Sequence, residues 1–177
     1  MRLFIALQIS KDAEEECKRI QSIFPAEGIV KTKGYHLTLK FLGEVKEELL
    51  AELKNQLLHV KQQRCVLHLS ALGFFPSKLE PKVIWIGVEG EVFFRELLGK
   101  IDKVLTPLFP PEKQFMPHIT LARVKKNNPE LERAVNEADK ILVQEIAIPC
   151  NEFILYHNIL GKEGAIHKEI IKIPLFT

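Results

Sequence analysis

Cysteine is scarce in this chain. Cys17, Cys65 and Cys150 are the only three among 177 residues, and no two of them stand at CxxC spacing. That argues against a disulfide framework and a cysteine-based zinc site, and it points to a reducing, cytoplasmic setting. Long apolar runs are absent too. The opening MRLFIALQIS holds one basic residue and only about six apolar positions, too few for a signal-peptide core and far too few to cross a bilayer. It reads as a first strand. A dominant charge is also missing: 25 Lys and Arg against 23 Asp and Glu leave a formal +2. Net charge therefore gives no argument for nucleic acid, and only a local gathering of cations would.

What is present is a globular composition, 46% hydrophobic and 27% charged, with a core-forming pattern that runs the length of the chain. Residues 2–8 suit a buried strand. Residues 11–24 carry Ala13, Cys17, Ile20, Ile23 and Phe24 at helical spacing, with Ser10 as N-cap, and Pro25 and Gly28 end the helical region. Residues 35–42 alternate as a strand, 46–60 are an amphipathic helix, and 64–75 return as a strand. The order then recurs. Residues 82–88 are a strand and 91–105 a helix; Pro107, Pro110 and Pro111 mark a loop. Residues 118–124 are a strand, 129–140 a helix, 146–156 a strand, and 166–174 a last strand.

The repeat has a chemical signature. His36-Leu37-Thr38-Leu39 and His118-Ile119-Thr120-Leu121 occupy matching places in the two halves, 82 residues apart. Internal duplication follows, as two α+β lobes about a pseudo-twofold axis, with mainly antiparallel sheets lining a central cleft and helices outside. No linker separates the lobes, so residues 1–177 read as one domain. Alternate residues of a strand share a face, so His36 projects with Thr38, and His118 with Thr120. Two imidazoles and two hydroxyls around one cleft suit phosphate chemistry. One imidazole takes a proton from water, the other gives one to a leaving oxygen, and the hydroxyls donate to phosphate oxygens. A bell-shaped pH profile with its optimum between about pH 6 and 8 is expected. A binding protein would not need two proton-transfer groups. No Asp, Glu, His or Cys stands at short ligand spacing beside either motif, so neither metal nor cofactor is expected.

The chain resembles the two-histidine (2H) phosphoesterases, and among them the RNA 2′,3′-cyclic phosphodiesterases, also called 2′-5′ RNA ligases. The resemblance rests on RLFIAL at the start, HLTLKFLGEV at 36–45, LGFFP at 72–76, VIWIGV at 83–88 and MPHITLARVK at 116–125. It implies hydrolysis of a 2′,3′-cyclic phosphate to a 2′-phosphate, no metal, and reversible joining of RNA ends through a 2′-5′ linkage. It also implies that His36 protonates the departing 3′-oxygen, that His118 activates water, and that Arg123 holds the phosphate. Ile29, Asn158 and His167 depart from the aromatic, serine and tyrosine common among such proteins. Substrates expected on this basis are RNA ends or cyclic nucleotides. A different cyclic nucleotide, an ADP-ribose cyclic phosphate, or RNA-end binding without catalysis are the alternatives. The protein is expected to act away from membranes and as a monomer.

Around the motifs, Lys40 falls on the motif face by strand parity and is a second candidate phosphate ligand. Strict alternation turns Arg123 away, and a bulge or strand end is required to bring it in. Lys31, Lys33, Lys40, Arg123, Lys125 and Lys126 cluster along the flanks and offer attraction for an RNA backbone. Phe75, Phe115, Tyr156 and His167 are candidates for stacking on a base, with core packing as the competing role. His59 and His68 have no partner pattern.

Overall fold

The computed structural model describes residues 1–106, 108–161 and 164–176; Pro107 of the expected proline loop lies outside them. Among the described residues, nine strands and four helices follow one another. β1 (Arg2–Gln8), α1 (Lys11–Ile23), β2 (Ile29–Lys31), β3 (His36–Glu44), α2 (Leu50–Leu58) and β4 (Cys65–Phe75) come first. β5 (Val83–Glu89), α3 (Glu91–Leu105), β6 (His118–Val124), α4 (Pro129–Asn136), β7 (Ala147–Cys150), β8 (Glu152–Gly161) and β9 (Gly164–Pro174) follow. The local signals act as expected. The Ser10 hydroxyl accepts from the Ala13 amide at the start of α1, and the Asn128 carboxamide caps α4 with Pro129 in its first turn.

The strands form a curled antiparallel sheet in the order β7-β4-β5-β6-β3-β1-β8-β9, with β2 added to the edge of β6. This order is a palindrome of the repeat, with its centre between β6 and β3. The lobes are not the two halves of the sequence, because each repeat gives its last strand to the other lobe. β4 ends the first repeat yet pairs with β5, and β8 belongs to the second yet pairs with β1. The single strand expected over 146–156 is therefore two strands. Asn151 separates β7, which pairs with β4, from β8, which pairs with β1. Hydrophobic patterning reads both as buried extended chain and carries no information on the change of partner. The three-residue β2 was also not anticipated.

One face of the sheet carries the main core. Leu3, Ile5 and Leu7 of β1, Leu37 and Leu39 of β3, Ile84 and Ile86 of β5, and Ile119 and Leu121 of β6 are buried there. They pack with Ile20 of α1, Leu53 and Leu57 of α2, and Phe94, Leu97 and Ile101 of α3. The opposite face holds a separate small cluster, Phe4, Ala6, Ile154 and Tyr156. No helix among the described residues is long and apolar enough to cross a membrane.

Candidate active site

The two motif strands meet at a single register pair, Leu37 with Ile119, the middle residues of the two HxT tripeptides. The pseudo-twofold axis passes through this pair. Antiparallel pairing about it sets His36 opposite Thr120 and Thr38 opposite His118, all four on the face away from the main core. The two imidazoles are thus diagonal, carried by residues about 7–8 Å apart by sheet geometry, which leaves room for one tetrahedral phosphate. All four side chains are partly exposed, while Leu37, Leu39, Ile119 and Leu121 behind them are buried.

Each strand is then interrupted by the same bulge. Opposite β1 the register passes from Thr38–Ala6 to Lys40–Ile5, leaving Leu39 unpaired. Opposite β5 it passes from Thr120–Trp85 to Ala122–Ile84, leaving Leu121 unpaired. Both leucines are the fourth residue of the tetrapeptide. An extra residue in a strand reverses the faces beyond it, so Lys40 and Ala122 turn to the core and Phe41 and Arg123 turn to the cleft face. The second bulge is held by its own carbonyl: Leu121 O accepts from the Thr32 amide at 2.8 Å and from Gln21 Nε2 at 2.8 Å.

Lys40 is accordingly not in the cleft. It is 4% exposed, and its ammonium donates to Asp102 Oδ1 of α3 and to the Pro110 carbonyl, each at 2.6 Å. Asp102 Oδ2 in turn accepts from the Glu112 amide. The sequence-based placement is corrected by the bulge that parity alone does not contain. Arg123 reaches the motif face for the same reason. It lies beside β2, and together with Lys31, Lys33, Lys125 and Lys126 it enters no ion pair among the described residues. Phe41 takes the position on the first strand that Arg123 takes on the second. It is 70% exposed and 6.1 Å from Phe4, which is itself 5.0 Å from His36. Nothing in an alternating pattern marks it; a matched bulge in the two HxTL segments is the only signal.

Aromatic rings back both imidazoles. His36 faces Phe4 and, edge-on at 4.7 Å, His167; Tyr156 stacks on Phe4. His118 has Trp85 at 6.0 Å and Phe75 edge-on at 4.9 Å. Of the four candidate stacking residues, Phe115 is turned away against Phe94. Trp85 Nε1 and Asn158 Oδ1 are buried without a hydrogen-bond partner among the described residues. Both histidines bond a carbonyl two residues upstream: His118 Nδ1 to Met116 O at 2.7 Å, and His36 to Gly34. Such a bond fixes the ring's orientation and, through Nδ1 of His118, leaves Nε2 to the cleft.

Burial governs the charge of these rings. It pushes the His36 imidazole down to about 4, with the neighbouring His167 adding to the effect, the Gly34 carbonyl opposing it and His118 adding a little. His118 is lowered by burial, opposed by the Met116 carbonyl, and lowered further by the Arg123 charge. His167 is lowered by burial. Lowered from the ordinary 6.5, all three imidazoles favour the neutral form at pH 7. Among the described residues no group of three His, Cys, Asp or Glu side chains is placed to hold a metal ion. Two hollows of about 610 and 630 Å³ open nearby, one over Phe94, Arg95 and Phe115 and one over Phe41, Phe109 and Pro110; neither includes a motif histidine or threonine.

Known proteins resemble this chain in sequence and fold. The profile described as LigT like Phosphoesterase matches residues 5–85 and 94–167. A protein of Archaeoglobus fulgidus named RNA 2′,3′-cyclic phosphodiesterase is 33% identical over 174 residues, 96% of this chain and 98% of its own length. One of the same name in Methanocaldococcus jannaschii is 34% identical, covering 97% and 99%. The crystal structure of TT0787 of Thermus thermophilus superposes with a TM-score of 0.80 at 26% identity, over 98% of this chain and 97% of that one. With the profile matched over both HxT segments, and with relatives above 30% identity along nearly its whole length, the chain belongs to the LigT-like family of 2H phosphoesterases.

Proposed function

We propose that this enzyme opens 2′,3′-cyclic phosphates at RNA ends to 2′-phosphates. The observation that carries this reading is the Leu37–Ile119 pair, which sets two histidines and two threonines on one open face. Water attacks phosphorus, and one imidazole takes its proton. The bond from phosphorus to the ribose 3′-oxygen breaks, and the other imidazole protonates that oxygen. Thr38 and Thr120 donate to the non-bridging oxygens, where charge accumulates, and Arg123 grips the phosphate from the second lobe. With the 5′-hydroxyl of a second RNA end attacking phosphorus in place of water, and the 3′-oxygen again leaving, the same site joins ends through a 2′-5′ linkage. Because the motifs come from different repeats that exchange strands, residues 1–177 act as one unit. The test is turnover of 2′,3′-cyclic nucleotides and short oligonucleotides, with the product's phosphate position read by phosphorus NMR. Product carrying only a 3′-phosphate, or no turnover, sinks the reading.

The division of labour is decided by a substrate with an activated leaving group. If His36 is the acid, as the family resemblance implies, His36→Ala recovers on it and His118→Ala does not. Burial works against that assignment, since His36 holds its proton so weakly in the free enzyme; an arriving phosphate anion must restore it.

That requirement predicts two different pH profiles. The productive state carries one proton on the imidazole pair. A depressed value means this proton is lost at lower pH, so kcat/KM, which follows the free enzyme, should fall above a limb lying below the ordinary 6.5. Bound phosphate favours the imidazolium, so the alkaline limb of kcat should lie higher. The optimum expected from unperturbed histidines is thus shifted to acid for kcat/KM. Superimposable limbs, or a rate rising steadily to about pH 10, would contradict the scheme.

Arg123→Ala should raise KM by roughly tenfold or more, and Arg123→Lys should recover only part of it, because a lysine lacks the bidentate fork. Steady-state kinetics in low salt checks this. An unchanged KM would mean that Arg123 faces the cleft without touching the phosphate.

A further inference from the structure

Two helices stand behind the motif strands, and each supports the strand of the other repeat. α1 lies against β6, and α3 sends Asp102 to Lys40 of β3. The helices match position by position. Ala13, Cys17 and Ile20 are buried in α1 at the spacing of Phe94, Leu98 and Ile101 in α3. The residue after each isoleucine is polar, Gln21 in one and Asp102 in the other. Asp102 holds the ammonium of Lys40, the fourth residue after His36. The fourth residue after His118 is Ala122, which offers no polar side chain to hold. Gln21 reaches the backbone of β6 instead.

The Gln21 carboxamide nitrogen donates to two carbonyls, Thr32 O at 2.9 Å and Leu121 O at 2.8 Å. Its two hydrogens are then both in use. Leu121 is the unpaired residue of the bulge that turns Arg123 to the cleft face. Thr32 follows the last residue of β2, and Val30 of β2 is paired directly with Arg123. The Thr32 amide closes the set by donating to Leu121 O. One side chain from outside the sheet thus fixes β6 to β2 immediately beside Arg123. A bulge interrupts the ladder that elsewhere sets side-chain direction. A bidentate grip on phosphate depends on that direction, because both N–H groups of the fork must meet their oxygens together.

We propose that Gln21 is the positioning residue for Arg123: by holding the Leu121 bulge against the end of β2, it sets the direction in which the guanidinium enters the cleft. Gln21 acts from α1, behind the sheet, and does not touch the substrate. Its loss should loosen the aim of Arg123 and not reverse it, because the opposite face would bury an unpaired charge in the core. The inference rests on the reading of Arg123 as the phosphate ligand.

The experiment is a double-mutant cycle on KM for a 2′,3′-cyclic nucleotide. Gln21→Met keeps the length of the side chain and removes both donors. It should raise KM about fivefold, with kcat within about twofold of wild type. In the Arg123→Ala background the same change should leave KM within about twofold, since no guanidinium remains to be aimed. Gln21→Asn keeps a carboxamide but is one methylene too short to span the two carbonyls, and it should follow Gln21→Met. Its polar side chain keeps the test open if Gln21→Met fails to fold. A role in stability alone would lower the unfolding midpoint and leave KM unmoved, or move KM equally in both backgrounds. Either result would overturn the inference, and if Arg123→Ala still raises KM the reading of Arg123 stands. An unchanged KM in Arg123→Ala would overturn that reading, and this inference with it.

Discussion

His36→Ala and His118→Ala are each expected to lower turnover of a 2′,3′-cyclic nucleotide by roughly 10²-fold or more. The physical reason is the diagonal placement imposed by the Leu37–Ile119 pair. In the proposed mechanism one imidazole serves the attacking water and the other the departing oxygen, on opposite sides of the phosphate. Losing either removes a proton transfer that the other cannot supply. Thr38→Ala and Thr120→Ala should cost less, since each removes one neutral donor while its counterpart across the axis remains. The double histidine variant should be little worse than the poorer single one, because groups that act as a unit are not additive. The measurement is initial rate in the presence of a chelator. Near wild-type activity in either single histidine variant would refute paired acid–base catalysis. Loss of activity on chelation, restored by zinc, would replace it with metal chemistry.

Lys40→Ala is expected to destabilise the fold by on the order of 3 kcal/mol, a drop of roughly 6–12 °C in Tm for a chain of this size. Lys40 lies buried beneath β3 and bridges that strand to Asp102 of α3 and to the Pro110 carbonyl. Truncation leaves Asp102 without its countercharge in a largely desolvated place, and Asp102 also holds the Glu112 amide. The loop 110–112 should therefore loosen with it. Lys40→Met, which keeps the apolar stem, removes the ion pair as well and should recover little. Denaturant unfolding reports the stability, and KM for a cyclic nucleotide, measured well below the melting temperature, reports the phosphate site. If Lys40 were a phosphate ligand the outcome would invert, with KM rising and the unfolding midpoint unmoved.

That contrast marks how far strand parity carries. His36, Thr38, His118 and Thr120 were legible because each pair spans two residues of one strand, too short an interval for register to drift. Lys40 and Arg123 stand four and five residues from their histidines, beyond Leu39 and Leu121, and there the bulges reverse the faces. A bulge is set by how a strand meets its neighbours and by partners such as Gln21 and Thr32, which hold the Leu121 carbonyl from elsewhere in the chain. Phe41 was missed for the same reason that Lys40 was misplaced. Asn158 was singled out only as a departure from relatives. That its Oδ1 is buried with no hydrogen-bond partner among the described residues is a property of the folded chain alone.

By itself the sequence determined most of the elements, the duplication, the core faces of the motif strands as far as their bulges, and the shared face of each His–Thr pair. Each of these follows from local propensity, from periodicity over a few residues, or from the identity of two tetrapeptides. Only the tertiary structure decided that each repeat lends its last strand to the other lobe, that Asn151 divides one apolar stretch between two sheet partners, and which flanking cation faces the cleft. Those are matters of strand pairing between residues far apart in the chain. Hydrophobic patterning specifies that a strand is buried, and many partners satisfy that requirement equally well; the choice among them is made by packing and hydrogen bonding across the whole sheet.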